Sequence, residues 1–65
     1  MRIDLNGRSI ETAAGTLAEL IDERGFQAPS VATALDGAFV ARGQRAETVL
    51  REGARVEIVA PMQGG

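Results

Sequence analysis

Residues 55–65 read RVEIVAPMQGG, and the change of character inside this stretch decides how the rest of the chain is interpreted. Polar and apolar side chains alternate from Arg55 to Ala60, which is the period of a strand that buries one face. Val56 and Ile58 would lie on that buried face. Pro61 has no N–H to give to a sheet, so the strand is expected to end before it.

The five residues from Pro61 onward are predicted to form a flexible C-terminal tail outside a folded domain of residues 1–60. Gly64 and Gly65 carry no Cβ and can pass through a channel too narrow for side chains. The α-carboxylate at the end is ionised at neutral pH and inert until another protein activates it. We therefore expect Gly65 to be the point of covalent attachment, and Gly64, Gln63 and Met62 to give it access to a partner's active site.

The composition excludes most of the chemistry that side chains could otherwise perform. None of the 65 residues is cysteine or histidine, which removes disulfides, thiolate metal sites and imidazole acid–base catalysis. A chain of this length forms one domain with a small core and has no room for an enclosed active site. We expect no catalytic residue, no metal site and no bound cofactor, which leaves the C-terminus as the best carrier of a covalent group.

Charge and hydropathy limit the partners and the location. Seven arginines and no lysine stand against nine acidic residues, giving a net charge of −2. Nucleic-acid binding needs a basic face, so nucleic acid is not an expected partner. The chain opens directly into an alternating pattern, with no apolar signal segment and no run of membrane-spanning length. We expect a cytoplasmic protein that does not bind a membrane.

The first half of the chain predicts a hairpin followed by a helix. Residues 1–6 and 8–13 read as two strands, joined by Asn6-Gly7, which suits the positive φ values of a type I′ turn. Thr16 and Glu19 then form a T-x-x-E capping box. The apolar stripe of the helix is formed by Leu17, Leu20 and Ile21, and Gly25 is its C-terminal glycine. The acidic residues Glu19, Asp22 and Glu23 form a cluster that is either a docking face or a solvated one.

The second half predicts a second hairpin and a last strand. Val31 to Leu35 and Ala38 to Val40 flank an Asp36-Gly37 turn, with the buried parity of the first of these strands left open. Residues 41–52 give no clear period and predict an irregular or single-turn helical loop anchored by Val49-Leu50. One helix between two hairpin-like halves implies an α+β fold, a mixed sheet of four to five strands with the helix across one face.

The other face of such a sheet is exposed to solvent. Val59 would lie there, close to the start of the tail and beside the Arg55 and Glu57 side chains. A single exposed valine carries little information. Next to a reactive tail, Val59, Arg55 and Glu57 become candidate contacts for a partner protein.

The whole chain resembles the β-grasp, ubiquitin-like sulfur carriers, most closely those of thiamine biosynthesis. The resemblance rests on the length, on MRIDLNG at residues 1–7, on VATALDGAFV at 31–40, and on VEIV at 56–59 running to the final QGG. In that family the turn after the third strand often carries Asn and the next strand is usually followed by Pro-Arg. Asp36 and Ala41-Arg42 stand at these places here, which are conservative departures.

The resemblance implies how the tail is used. An ATP-dependent adenylating enzyme would activate the Gly65 carboxylate, and a persulfide sulfur donor would convert it to a thiocarboxylate. A thiazole synthase would then draw on that sulfur for thiazole formation. On this interpretation the protein is not an enzyme but a carrier on which other enzymes act.

Three other roles remain compatible with the sequence. The small subunit of molybdopterin synthase is a carrier with the same ending, although such chains are usually longer. A ubiquitin-like protein modifier would join its Gly65 carboxyl to target lysines. A non-covalent ubiquitin-like adaptor would make the Gly-Gly ending incidental.

Overall fold

A computed structural model describes residues 1–60 of the chain, and the predicted tail of residues 61–65 lies outside the described residues. Five strands and one α-helix, with two short 3₁₀ helices, make up the described part. In chain order they are β1 (Arg2–Leu5), β2 (Arg8–Glu11), α1 (Leu17–Glu23), a first 3₁₀ helix (Ala28–Ser30), β3 (Ala32–Leu35), β4 (Ala38–Val40), a second 3₁₀ helix (Arg42–Glu47) and β5 (Arg55–Val59).

The strands form one mixed sheet in the order β2-β1-β5-β3-β4, which confirms the predicted fold class at five strands. The last strand of the chain is therefore the central strand of the sheet. β5 runs parallel to β1, with Leu5 opposite Val56, and antiparallel to β3, with Thr33 opposite Ile58. The end of β5, from which the tail continues, is consequently placed by both halves of the chain.

Both predicted hairpin turns are present, and for the predicted reason. Asn6 and Gly7 have φ values of 53° and 85°, and Asp36 and Gly37 have values of 49° and 86°. Two consecutive positive φ values define a type I′ turn, whose twist matches that of the strands it joins. The turns fix the register of each hairpin, placing Leu5 opposite Arg8 and Leu35 opposite Ala38.

The helix begins at the predicted capping box. The Thr16 hydroxyl accepts a hydrogen bond from the Glu19 N–H at 3.2 Å, and the Glu19 carboxylate accepts one from the Gly15 N–H at 2.7 Å. The Thr16 hydroxyl thus satisfies an N–H group of the first turn that the helix itself cannot pair, and the Glu19 carboxylate bonds the residue before the cap rather than Thr16 itself. The helix ends before Gly25, whose φ of 75° reverses the chain.

The core lies between α1 and the inner face of the sheet. Leu17, Leu20 and Ile21 are buried as predicted and pack with Val56 and Ile58 of β5. Ten hydrophobic residues form this core cluster, namely Ile3, Ala14, Leu17, Leu20, Ile21, Val40, Leu50, Ala54, Val56 and Ile58. No aromatic residue belongs to this fully buried set, which agrees with the aliphatic core that the composition suggests.

The parity of β3, open from the sequence, is settled by a buried polar side chain. Thr33 is 2% exposed and faces the core, whereas Ala32 is exposed on the outer face. The Thr33 hydroxyl donates to the Val40 carbonyl at 2.8 Å and accepts from the Arg45 Nε at 3.0 Å. The polar residue of β3 therefore points inward because Arg45 is its partner there.

Arg45 is itself buried, only 4% exposed, and organises the stretch of residues 41–52. Its Nη1 donates to the Ala28 carbonyl at 2.9 Å and its Nη2 to the Val31 carbonyl at 2.6 Å. The predicted irregular or single-turn helical loop is a six-residue 3₁₀ helix docked through this side chain. Of the predicted anchor pair, Leu50 is buried, but the prediction was wrong for Val49, which is 59% exposed.

Candidate functional site

The outer face of β5 presents the three residues that the sequence indicated as partner contacts. Arg55, Glu57 and Val59 are exposed, while Val56 and Ile58 between them are buried. The predicted parity of this strand is confirmed. The role of the three side chains in binding a partner stays a prediction.

Val59 belongs to a larger apolar surface that crosses three strands. It stands opposite Ala32 of β3, and Ala34 of the same strand stands opposite Phe39 of β4. Phe39 is 73% exposed and Val59 is 60% exposed. We refer to Ala32, Ala34, Phe39 and Val59 as the open-face strip, an apolar surface on the side of the sheet opposite α1.

Sequence reasoning did not find Phe39 as a surface residue. The register of its hairpin was readable from the Asp36-Gly37 turn, which sets Phe39 opposite Ala34. The face of the sheet on which Phe39 lies could not be predicted from the sequence, because β3 places its alanines outside and its threonine inside, against the usual pattern. Knowledge of the Thr33 and Arg45 contact would have assigned Phe39 to the outer face.

Beside the strip, the groove between β1 and β5 is lined mainly by polar and charged residues. It has a volume of about 730 Å³ and is lined by Asp4, Asn6, Gly7, Arg55, Glu57 and Val59. The Asp4 carboxylate accepts a hydrogen bond from the Gly7 N–H at 2.8 Å, which holds the hairpin turn against the groove. An apolar strip with a charged border is the usual anatomy of a transient protein interface.

Side chains from the two hairpin turns hold the two ends of β5. At the first end, the Asp36 carboxylate accepts from the Arg55 N–H at 2.8 Å. At the end nearest the tail, the Asn6 side-chain Oδ1 accepts from the Ile58 N–H at 2.9 Å, and its Nδ2 donates to the Ile58 carbonyl at 2.9 Å. The central strand is thus fixed to residues of both β-hairpins.

Two members of the acidic cluster on α1 make local contacts, Glu19 in the capping box and Glu23 at the connection to β2. The Thr12 hydroxyl donates to the Glu23 carboxylate at 2.7 Å, and the Ala13 N–H donates to it at 3.2 Å. The Thr12 hydroxyl is the main cause that lowers the pKa of Glu23, with the Ala13 N–H and the Arg24 charge adding to it against partial desolvation. Glu23 therefore secures the connection between β2 and α1.

The predicted attachment point lies beyond the described part of the chain. Gly65, and with it Gly64, Gln63 and Met62, falls outside residues 1–60. Within residues 1–60, no group of three or more carboxylates is placed to hold a metal ion. None of the helices in this range has the length and apolarity needed to span a membrane.

A mixed five-stranded sheet with a single α-helix across one face defines a ubiquitin-like β-grasp domain. The ThiS family model matches residues 3–65, so the chain belongs to the ThiS family. Membership supports the sulfur-carrier role that the resemblance implied.

Two solved structures are similar to this chain over its full length. One is the crystal structure of the thiamine biosynthesis protein (ThiS) from Geobacter metallireducens, with a TM-score of 0.84, 28% sequence identity and 100% coverage of both chains. The other is the NMR solution structure of a thiamine biosynthesis protein from the same organism, with a TM-score of 0.81 and 28% identity, covering 100% of this chain and 88% of that one. No curated protein matches the chain.

Proposed function

We propose that this protein is a sulfur carrier for thiazole formation in thiamine biosynthesis and that it carries the sulfur on the C-terminal carboxyl of Gly65. The observation behind the proposal is that the ThiS family match continues through residue 65, beyond the end of β5. The β-grasp body then serves as the part that partner enzymes recognise. The Gly-Gly ending serves as the part on which they act.

The first step is activation of the carboxylate. A Gly65 carboxylate oxygen attacks the α-phosphorus of ATP, and pyrophosphate leaves. The product is a mixed anhydride of Gly65 with AMP, whose acyl carbon is a far better electrophile than the carboxylate. The activating enzyme supplies the groups for this step, because the carrier sequence contains neither histidine nor cysteine.

The second step exchanges oxygen for sulfur. The terminal sulfur of a persulfide attacks the acyl carbon, and AMP leaves with the original carboxylate oxygen. A thiol then cleaves the resulting acyl disulfide, so that the Gly65 thiocarboxylate is released and the thiol forms a disulfide with the donor's remaining sulfur. The thiocarboxylate sulfur is a stronger nucleophile than the oxygen it replaced and is the species that a thiazole synthase would consume.

The length of the predicted tail suits delivery into an enclosed partner site. Residues 61–65 would reach roughly 17 Å if extended, at about 3.3–3.6 Å per residue. Side chains Met62 and Gln63 would lie along that path, and Gly64 and Gly65 would occupy its narrowest part. The body could then dock outside through the open-face strip and the neighbouring Arg55 and Glu57.

Docking through the open-face strip predicts a selective effect of Val59→Glu. The substitution removes the apolar area that Val59 would bury in the contact and adds the cost of desolvating a carboxylate. We therefore expect the KM of the activating enzyme for the carrier to rise roughly tenfold, equivalent to about 1.4 kcal/mol. The kcat for adenylate formation should stay near that of the wild type, because the reacting carboxylate is unchanged. Steady-state pyrophosphate release over a range of carrier concentrations measures both constants.

Val49→Glu is the matched control for this substitution. Val49 is 59% exposed and Val59 is 60% exposed, but Val49 lies outside the open-face strip and pairs with Thr16 near the helix start. The same residue change there should leave the KM within about twofold. Equal increases in the KM for the two variants would show that the strip is not the docking surface.

Intact-mass measurement tests the proposed function itself. Incubation of the carrier with its activating enzyme, ATP and a persulfide donor should produce a species heavier by the exchange of one oxygen for sulfur. Fragmentation should place the added mass at Gly65. Permanent conjugation of Gly65 to target lysines would support a modifier, and failure to form any Gly65 adduct would rule out the carrier role.

A further inference from the structure

Asn6 performs a second task besides forming the first hairpin turn. Its backbone N–H donates to the Val56 carbonyl at 2.9 Å, which is the last backbone hydrogen bond that β1 gives to β5. The chain then turns away through Gly7. The Asn6 side-chain amide takes over and pairs with both the N–H and the C=O of Ile58, each at 2.9 Å.

This side chain replaces a peptide group that β1 no longer supplies. A primary amide carries an acceptor oxygen and an NH2 donor group, and here it presents to Ile58 the same acceptor and N–H pair that a further strand residue would present. Without the Asn6 side chain, both polar groups of Ile58 would lose these partners. The contact lies two residues before Ala60, where the described part of the chain continues into the tail.

We propose that Asn6 is a positioning residue for the C-terminal segment. By pinning Ile58 it fixes the direction in which Val59 and Ala60 leave the sheet, so that the residues after them approach a partner's active site from one orientation. This inference rests on the proposed function, in which Gly65 is activated by another enzyme. A defined starting direction raises the fraction of carriers that are competent to bind, and the apparent affinity rises with that fraction.

The other hairpin turn provides a matched comparison. Asp36 occupies the same turn position as Asn6, has a φ of 49° against 53°, and also holds a backbone N–H of β5 with its side chain. Its contact is with Arg55, at the end of the strand away from the tail. Glycine adopts positive φ without strain, so Asn6→Gly and Asp36→Gly each remove a side-chain contact to β5 while preserving the turn.

The experiment compares these two variants by amide hydrogen exchange and by activation kinetics. In Asn6→Gly the Ile58 amide should exchange roughly three- to tenfold faster, as expected from loss of one hydrogen bond. The KM of the activating enzyme for this variant should rise by a similar factor, with kcat within about twofold of the wild type. Asp36→Gly should lose protection at Arg55 instead and keep the KM of the wild type.

Each other outcome overturns the proposal in a distinguishable way. Equal increases in the KM for both variants would assign the effect to general loss of stability. Faster exchange at Ile58 with an unchanged KM would make the Asn6 contact purely structural. Absence of activation in the wild-type carrier would remove the proposed function and the positioning role together.

Discussion

Deletion of Gly65 is expected to lower ATP-dependent activation by at least a hundredfold while the domain remains folded. The truncated chain still ends in a glycine carboxylate, but that carboxylate is withdrawn by one residue, about 3.3–3.6 Å. A displacement of only about 1 Å from a reactive geometry can cost on the order of a hundredfold in rate. The rate of adenylate formation, monitored as pyrophosphate release, measures the loss directly.

Thermal unfolding provides the control for this deletion. β5 ends at Val59, and its pairing partners in β1 and β3 are complete within residues 1–60. The midpoint temperature of unfolding of the deletion variant should therefore match that of the wild type. Retention of full activation or of sulfur loading by the folded, truncated protein would contradict Gly65 as the attachment point. A truncated protein that kept its partner binding and function without any activation would favour a non-covalent adaptor.

The parts of the fold that could be predicted are those that depend on neighbours in sequence. Asn6-Gly7 and Asp36-Gly37 specify their turns through backbone preferences, and the Thr16 and Glu19 pair specifies the helix start within one turn. Alternation in β5 assigned Val59 to the outer face correctly. In each case the deciding contact spans only a few residues, so the sequence contains all of the information needed.

The features that could not be predicted depend on contacts between distant residues. Arg45 reads as a solvated charge in a polar loop, yet its three partners lie 12, 17 and 14 residues away. The Asn6 side chain meets Ile58 across 52 residues. Turn propensity explains why asparagine stands at position 6 without suggesting this second contact, and so the residue that holds the end of β5 was not visible as part of the site.

Arg45→Met is expected to lower the free energy of unfolding by about 2–4 kcal/mol. Hydrogen bonds to a charged group contribute roughly 1.5–3 kcal/mol each, and removal leaves the acceptors of Thr33, Ala28 and Val31 without their donor. The acceptors of the Arg45 guanidinium among residues 1–60 are all neutral oxygens, so relief from burying this charge offsets part of the loss. A domain of this size has a total free energy of unfolding of about 3–10 kcal/mol, so the variant should be substantially destabilised.

Urea unfolding of three variants separates the contribution of the buried planar guanidinium group of Arg45 to stability from that of its charge. Arg42→Met removes an exposed arginine from the same 3₁₀ helix and should change stability by no more than about 0.5 kcal/mol. Arg45→Lys keeps the charge but, lacking the planar fork, should not bridge all three acceptors and should fall between the wild type and Arg45→Met. If Arg45→Met and Arg42→Met shared one unfolding midpoint, the second 3₁₀ helix would be held by its packing against α1 rather than by the arginine.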